Sequence, residues 1–216
     1  MENLKKTERT SISRLPDRGS YDLNVIKEIL KEGLICHIAF IHEGKPYMLP
    51  NMYGLFENTI YIHGSVGSFL QRTLMQEIEL CFSVTLLDGL VLARSAFHHS
   101  ANYRSVVMFG KAKVVSEEAE KMHALKILTD HIVPGRWEQV RFPNKSEMKK
   151  TNVLSIPIAE ASAKIRFGPL SDDEADTLLD DICAGLIPLN LSANQPVPDV
   201  ISEKKKCSYT FKYSPL

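Results

Sequence analysis

The stretch "GLICHIAFIHEGKPYMLPNMYGLFENTIYIHGSVGS", residues 33–68, decides the fold because it alternates short apolar runs with turn residues. The β-rich runs "LICHIAFI" and "KPYMLPNMYG" are joined by "HEGK", where Gly44 can adopt the positive φ of a tight hairpin. A second turn at "ENT" leads into a third run, "IYIHG". Strands with such short connections predict an antiparallel arrangement.

Further strands follow along the chain. The segment "ELCFSVTLLDGLVLARSAF" predicts two strands around an Asp88–Gly89 turn, and "YRSVVMFGKAKVV" predicts another, with Gly110 as a bulge or close-approach point. Two short strands, "NVLSIPI" and "SAKIRF", come later. Six or more half-buried strands need closure to avoid exposed edges. We therefore expect a mainly β protein, with its antiparallel sheet closed into a barrel and helices packed outside.

Three amphipathic segments predict the peripheral helices. "YDLNVIKEILKEG" has Asp22 as a candidate N-cap and ends at Gly33, which suits a C′ position. "SVGSFLQRTLMQEI" is the second segment, and "SEEAEKMHALKILTDHIV", capped by Ser116, is the third. We divide the chain into an N-terminal arm (1–20), one domain (21–170) and a C-terminal extension (171–216) that is an irregular wrap or a partly mobile terminus.

Composition excludes several classes of protein. The 26 basic and 26 acidic residues balance, so nothing steers the chain to nucleic acid or anionic membranes. The apolar runs are too short to span a bilayer, and the N-terminus lacks a signal-peptide core, so we expect a cytoplasmic protein. The four cysteines form no CxxC pair, and we interpret Cys36 and Cys81 as reduced core residues.

The segment "IYIHGSVGSFLQR" is a candidate phosphate-binding turn, in which a strand runs through a glycine-rich turn into a helix carrying Arg72. A helix N-terminus offers unpaired N–H groups. Gly64 and Gly67 allow close approach of the backbone, while Ser65 and Ser68 add hydroxyl donors. An ordinary helix start has the same appearance, and neither a Walker loop nor a Rossmann fingerprint is present.

The segment "SAFHHSANYRS", residues 95–105, contains adjacent histidines. On a strand, His98 and His99 would point to opposite faces, and further metal ligands at suitable spacing are missing, so we predict no metal site. No GxSxG elbow supports a serine nucleophile. The remaining interpretations are a polar rim where Asn102 and Arg104 donate to an anionic or carbonyl-rich ligand, or a solvated loop near a subunit interface.

Alternating basic residues on "SAKIRFG" have two interpretations as well. Lys164 and Arg166 share a strand face and could meet a phosphate or a partner subunit, or they could form a solvated edge. On another strand, Asn51 and Tyr53 have the same parity and could face one pocket.

Together, the blocks "RLPDRGSYD", "GLICHIAF…GKPYMLPNMYG", "IYIHGSVGS", "TLLDGLVLARSAFHHSANYRSVVMFGKAKVV", "VPGRW" and "SAKIRFGP" resemble the flavin-nucleotide-binding branch of the pyridoxamine 5′-phosphate oxidase superfamily, which includes nitroimidazole-resistance proteins. The resemblance covers residues 14–170 and continues less distinctly to about 199. It implies an FMN-binding split β-barrel that forms a homodimer with the flavin at the dimer interface.

The resemblance also implies a set of site residues. The turn would hold the FMN phosphate through Gly64, Ser65 and Ser68, and His63 matches a histidine that lies near the flavin in nitroimidazole-resistance relatives. The strand "LPNMY" would lie along the flavin ring. The cofactor-binding set is then Pro50, Asn51, Met52, Tyr53, His63, Gly64, Ser65, Ser68, Asn102, Arg104, Lys164 and Arg166, with His63 as the catalytic candidate.

The expected function is an FMN-dependent oxidoreductase acting on a small flat substrate, with the electron chemistry carried by the flavin. Two alternatives stay open. One is a haem-binding or haem-handling protein in which His63, His98 or His99 is an axial ligand. The other is a non-catalytic module that holds a flavin or F420-like cofactor without turnover.

Overall fold

Two antiparallel sheets form the body of the protein, whose computed structural model describes residues 2–203. The larger sheet has the order β1 (Gly19–Ser20), β10 (Glu160–Arg166), β7 (Ser100–Lys111), β6 (Glu79–Leu92), β2 (Ile35–His42) and β3 (Lys45–Met52), and β11 (Gly185–Pro188) also pairs with β6. The smaller sheet has the order β4 (Gly54–Phe56), β5 (Thr59–Ser65), β9 (Thr151–Pro157) and β8 (Lys113–Val114). The split β-barrel is thereby confirmed, whereas the expected single closed sheet is wrong.

Four α-helices lie outside the sheets: α1 (Leu23–Glu32), α2 (Phe69–Leu74), α3 (Glu118–Ile132) and α4 (Lys145–Lys150). Asp22 caps α1 as predicted, since its side chain accepts from the Asn24 amide. The predicted Ser116 cap is wrong, because the N-cap of α3 is Glu117 and no side chain caps that helix. Between residues 2 and 203, no helix is both long and apolar enough to cross a membrane.

The two faces of the larger sheet differ sharply. Its inner face packs against α1 and the smaller sheet, and alternate residues such as Ile38, Phe82 and Met108 are fully buried there. We call the opposite side the outer face. One row of residues paired across neighbouring strands on this face comprises Met48, Ala39, Cys81, Phe109 and Glu160. Strand alternation therefore places one apolar set in the core and a second set on the outer face. Arg9 of the N-terminal arm covers Phe109 and bonds Glu160 there, whereas the apolar residues of β2 and β3 stay exposed.

The predicted Asp88–Gly89 turn is wrong. Strand β6 continues through Leu92, with a register shift against β7 between Leu87 and Gly89, and the chain reverses over residues 93–99 instead. The far part of β6 gains a second partner, because β11 pairs with residues 89–92. The C-terminal extension thus contributes a strand, which its sequence did not indicate, and its last residues, 204–216, lie outside the described part.

The other turn predictions fare differently. Glu43 and Gly44 have φ values of 50° and 72°, which confirms the tight hairpin between β2 and β3. Gly33 does end α1, but in extended backbone with φ −64° rather than in the left-handed conformation of a C′ glycine. Cys36 and Cys81 are free thiols on β2 and β6, as expected. Only Cys36 is a core residue, with its pKa raised to about 12 by burial; Cys81 is half-buried on the outer face, so its predicted place in the core is wrong.

We predict that Gly33→Ala destabilises the protein by about 1–3 kcal/mol, because overpacking a tight site has that cost. An added Cβ would lie 2.5 Å from Val84 Cγ1 and 2.7 Å from the Tyr53 hydroxyl. Gly110→Ala is the matched control, since its Cβ would meet nothing within 4 Å. Urea unfolding of both variants measures the difference, and equal midpoints would contradict the packing role of Gly33.

Candidate functional site

The predicted phosphate-binding turn lies between β5 and α2, where residues 63–68 leave the smaller sheet. Its main-chain amides already have acceptors: Val66 N–H donates to the Lys150 carbonyl at 3.1 Å, Gly67 to Ser65 Oγ at 3.3 Å and Ser68 to the Ser65 carbonyl at 2.9 Å. The turn therefore offers an incoming ligand its side chains rather than these three amides. Because α2 has only six residues, its N-terminus contributes little to the binding of a phosphate.

Both serine hydroxyls can donate outward. Ser68 is the N-cap of α2, but its side chain makes no capping hydrogen bond. Ser65 Oγ accepts from Gly67, which leaves its own proton to donate. Arg72 is exposed one helical turn after Ser68, and it forms no ion pair within residues 2–203. Two hydroxyls and a guanidinium form a donor set that suits a phosphate.

Gly64 serves helix packing rather than close approach of a phosphate, which corrects its predicted role. A Cβ on Gly64 would lie 2.9 Å from Cγ of Gln71 on α2. Gln71 is only 1% exposed, and neither of its side-chain polar atoms has a hydrogen-bond partner. Sequence reasoning missed Gln71, because a glutamine inside a short helix carries no local sign of burial.

His63 projects from β5 directly before the turn. Its side chain is exposed, and no hydrogen bond or ion pair to its ring occurs in the described part of the chain. Protein atoms around the imidazole nevertheless remove enough water to lower its pKa below the ordinary value of 6.5. His63 is therefore a neutral ring near pH 7 with both nitrogen atoms available.

The residues of β3 that are predicted to lie along the flavin are on two different sides of the strand. Pro50 and Met52 are exposed on the outer face, opposite His37 and Ile35 of β2, whereas Asn51 is half-buried on the other side. The edge position of β3 suits a flat ligand laid against its outer side.

Tyr53 does not belong to the site, so that prediction is wrong. It is fully buried, its hydroxyl donates to the Leu30 carbonyl at 2.6 Å, and its ring packs against Phe82 and His131. Asn51 and Tyr53 do lie on the same, inner side, but Tyr53 packs in the core there and not in a pocket.

Asn102 and Arg166 do come together, where β7 begins and β10 ends. Asn102 is 2% exposed; its Nδ2 donates to the Gly168 carbonyl at 3.1 Å, and its Oδ1 accepts from Arg166 Nη1. Lys164, two residues earlier on β10, donates from Nζ to the Arg14 carbonyl of the N-terminal arm at 3.1 Å.

Arg104 is not available to a ligand, which corrects its predicted role as a cofactor donor. Its guanidinium bonds both oxygens of Asp88, at 3.0 and 2.6 Å, and both oxygens of Glu32, one at 2.7 Å. These two carboxylates raise the pKa of Arg104 and neutralise its charge. Arg104 therefore joins the end of α1 to the irregular part of β6.

The histidine pair lies in the loop before β7 rather than on a strand. His98 Nε2 is 3.2 Å from Asp173 Oδ2, and His99 Nδ1 is 2.9 Å from the Ser95 carbonyl. Asp176 lies beside the first pair, and the ligand atoms of His98, Asp173 and Asp176 are within 4.8 Å of one another. The spacing in the sequence did not suggest this cluster, since its acidic members come from the C-terminal extension.

The predicted site residues thus lie in three places. His63, Ser65 and Ser68 lie at the end of β5, and we call them the turn group; Pro50 and Met52 lie on the outer face of β3. Asn102, Lys164 and Arg166 lie on β7 and β10. Among the described residues, no hydrogen bond or ion pair links the side chains of these three places.

The comparisons with known proteins agree with this architecture. Residues 22–165 match the family model described as pyridoxamine 5′-phosphate oxidase. The flavocytochrome Anf3 from Azotobacter vinelandii is 35% identical over 94% of each chain, with a TM-score of 0.86. The FAD and heme binding protein from Mycobacterium smegmatis is 29% identical, covering 88% of this chain and 94% of that one, with a TM-score of 0.84.

A nitroimidazole-resistance type of protein from Bacteroides thetaiotaomicron is 23% identical over 72% of this chain and 90% of its own, with a TM-score of 0.58, which supports the fold alone. No curated protein sequence matches the chain. Because the family model spans most of the chain and a relative 35% identical covers 94% of it, the chain belongs to the pyridoxamine 5′-phosphate oxidase family.

Proposed function

We propose that this protein binds a flavin, FMN in the first instance, and acts as an oxidoreductase on a small flat substrate. The observation that carries the proposal is the turn group with Arg72: within residues 2–203, neither serine hydroxyl nor any part of the Arg72 guanidinium donates a hydrogen bond to the protein. Membership of the family supports the same ligand. FAD is the alternative nucleotide, since the mycobacterial relative is an FAD and heme binding protein.

The flavin, when bound, supplies the electron transfer, and the chain supplies binding and orientation. In the proposal, Ser65 and Ser68 donate to the phosphate and Arg72 balances its charge. Pro50 and Met52 form an apolar surface for the ring. His63 lies at the start of the turn as a neutral donor or acceptor toward the ring or substrate. A bound flavin that NADH and NADPH both fail to reduce would favour the non-catalytic module instead.

The flavin site lies at a homodimer interface in this proposal, and the outer face is the surface that a second copy covers. Four large apolar residues on β2 and β3 are exposed there: Ile35 (43%), Ile41 (60%), Met48 (66%) and Met52 (41%). A contiguous exposed apolar surface on a folded protein marks an interaction site. A two-fold axis would place this face against itself and bring Lys164 of one copy toward the other.

Haem binding is a second candidate, and a specific observation favours it: the flavocytochrome and the FAD and heme binding protein are this chain's relatives. His63 is the best-placed axial ligand, because its ring is neutral and has no protein partner. His98 and His99 are less suitable, since the first pairs with Asp173 and the second contacts the Ser95 carbonyl. In this candidate function His63 binds the haem iron instead of the flavin or its substrate.

We predict that Ser65→Ala/Ser68→Ala weakens flavin retention, by about 1–3 kcal/mol for each hydroxyl removed. Titration of the flavin-free protein with FMN and with FAD, followed by flavin fluorescence, measures the loss. Ser146→Ala, which removes an exposed hydroxyl on α4, is the control and should bind like the wild type. Unchanged affinity in the double variant would exclude the turn as the phosphate site.

We expect Met48→Lys to convert a dimer into a monomer, because an isologous interface would bury the new charge twice. Sedimentation velocity at several concentrations measures the mass. Leu178→Lys is the matched control: Leu178 is 81% exposed but lies in the C-terminal extension, away from the outer face, so its variant should remain dimeric. A monomeric wild type would contradict the proposed dimer.

For haem, we predict that His63→Ala abolishes the Soret shift on addition of hemin, whereas His98→Ala retains it. Desolvation lowers the pKa of His63 below its ordinary value, so ligation should be lost on acidification at a lower pH than for a fully solvated histidine. Absorbance spectra across a pH series measure ligation. Identical spectra for wild type and His63→Ala would remove His63 as the ligand.

A further inference from the structure

A groove of about 770 Å³ lies at the β1 and β10 side of the larger sheet. The groove is lined by residues 17–20 of the N-terminal arm, by residues 165–171 at and beyond the end of β10, and by Val25 of α1. It shares no lining residue with the turn group. A groove of this volume accommodates a small organic molecule.

Two arginines that lack carboxylate partners line this groove. Elsewhere, four arginines form ion pairs with acidic side chains: Arg9, Arg94, Arg104 and Arg141. Within residues 2–203, the half-buried Arg18 side chain has neither a hydrogen bond nor an ion pair. Arg166 donates only to neutral oxygens, Oδ1 of Asn102 and the Pro169 carbonyl, the latter at 3.3 Å. Asp17 is the sole acidic lining residue, so the groove is net positive.

Arg166 is also held in a defined position. Asn102, which is almost fully buried, anchors its amide on the Gly168 carbonyl and presents its oxygen to the guanidinium. Gly168 has φ +147°, a conformation that favours glycine, and it lines the groove. A guanidinium fixed by neutral partners keeps its charge and loses little conformational entropy when it binds an anion.

Apolar side chains complete the lining. Val25, Ile165 and Leu170 line the groove, and the Phe167 ring, 87% exposed, stands at its rim. An inorganic ion would leave this apolar surface uncovered. The combination therefore favours a ligand with an anionic group at one end and an apolar body at the other.

We propose that this groove binds a small amphipathic anion, a carboxylate or phosphate joined to an apolar ring or chain, with Arg18 and Arg166 holding the anionic group. Asn102 is a positioning residue that acts through Arg166. The site is separate from the flavin turn and does not depend on the proposed flavin function. In this proposal, Asn102 and Arg166 serve the amphipathic anion and not the flavin cofactor.

The probes are 1-naphthoate, 1-naphthyl phosphate and the uncharged 1-naphthamide, titrated by calorimetry into protein of measured flavin content. We expect at least one anionic probe to bind, and Arg18→Gln and Arg166→Gln each to weaken its binding about tenfold, as loss of a charge-assisted hydrogen bond does. Arg14→Gln is the matched control, with the same charge change in the same arm outside the groove, and should bind like the wild type. Naphthamide should bind at least about tenfold more weakly.

Several outcomes would overturn the proposal. They are failure of both anionic probes to bind, equal binding of naphthamide, and equal loss in Arg14→Gln. Binding that occurs only in flavin-free protein and is displaced by FMN or FAD would mean that the groove holds the cofactor's own phosphate. The titration does not require bound flavin. It therefore tests the groove even if the protein binds no flavin.

Discussion

The unequal covering of the two faces of the larger sheet is the constraint on which the rest of the structure depends. Side chains alternate across a strand, so the burial of Ile38 and Phe82 on the inner face commits Ala39 and Cys81 to the outer one. Helix α1 and the smaller sheet cover only the inner side. The proposed subunit interface lies on the outer face, which α1 and the smaller sheet do not cover, and the proposed groove lies at the β1 and β10 side of the same sheet.

Close contacts on the inner side of the larger sheet hold α1 in place. Gly33 fits between Val84 and Tyr53, and the Tyr53 hydroxyl bonds the last turn of α1 through the Leu30 carbonyl. Arg104 then joins Glu32 of the same helix end to Asp88. This junction fixes α1 against β6 and β7, and so fixes the position of Val25 beside the groove.

Local sequence patterns predicted those features that depend on neighbouring residues. The Glu43–Gly44 hairpin, the Asp22 cap and the strands β9 and β10 all follow from turn chemistry and alternation. The Asp88–Gly89 pair gives the same local signal as a turn, but it forms an irregular strand because β7 and β11 pair with it from both sides. That outcome depends on residues near 102 and 187, which no local window contains.

The candidate site shows the same limit. The strand-to-helix turn with its two serines was predicted, because such turns carry a local pattern. The partners of Tyr53, Gly64 and Arg104 could not be predicted, since each is set by a residue distant in sequence. Gln71 is the sharpest case, because a buried amide with neither polar atom bonded costs about 1–3 kcal/mol.

The two arginines at the start of β7 and the end of β10 show how the fold decides which charges remain available. Arg104 and Arg166 are both half-buried, and both donate hydrogen bonds to neighbouring residues. The partners of Arg104 are carboxylates, so its charge is neutralised and its role is confined to joining α1 and β6. The partners of Arg166 are an amide and a carbonyl, which fix its direction without removing its charge. A positive charge that is oriented but not neutralised attracts an anion, and this difference in partners, not the residue type, separates a structural arginine from a binding one.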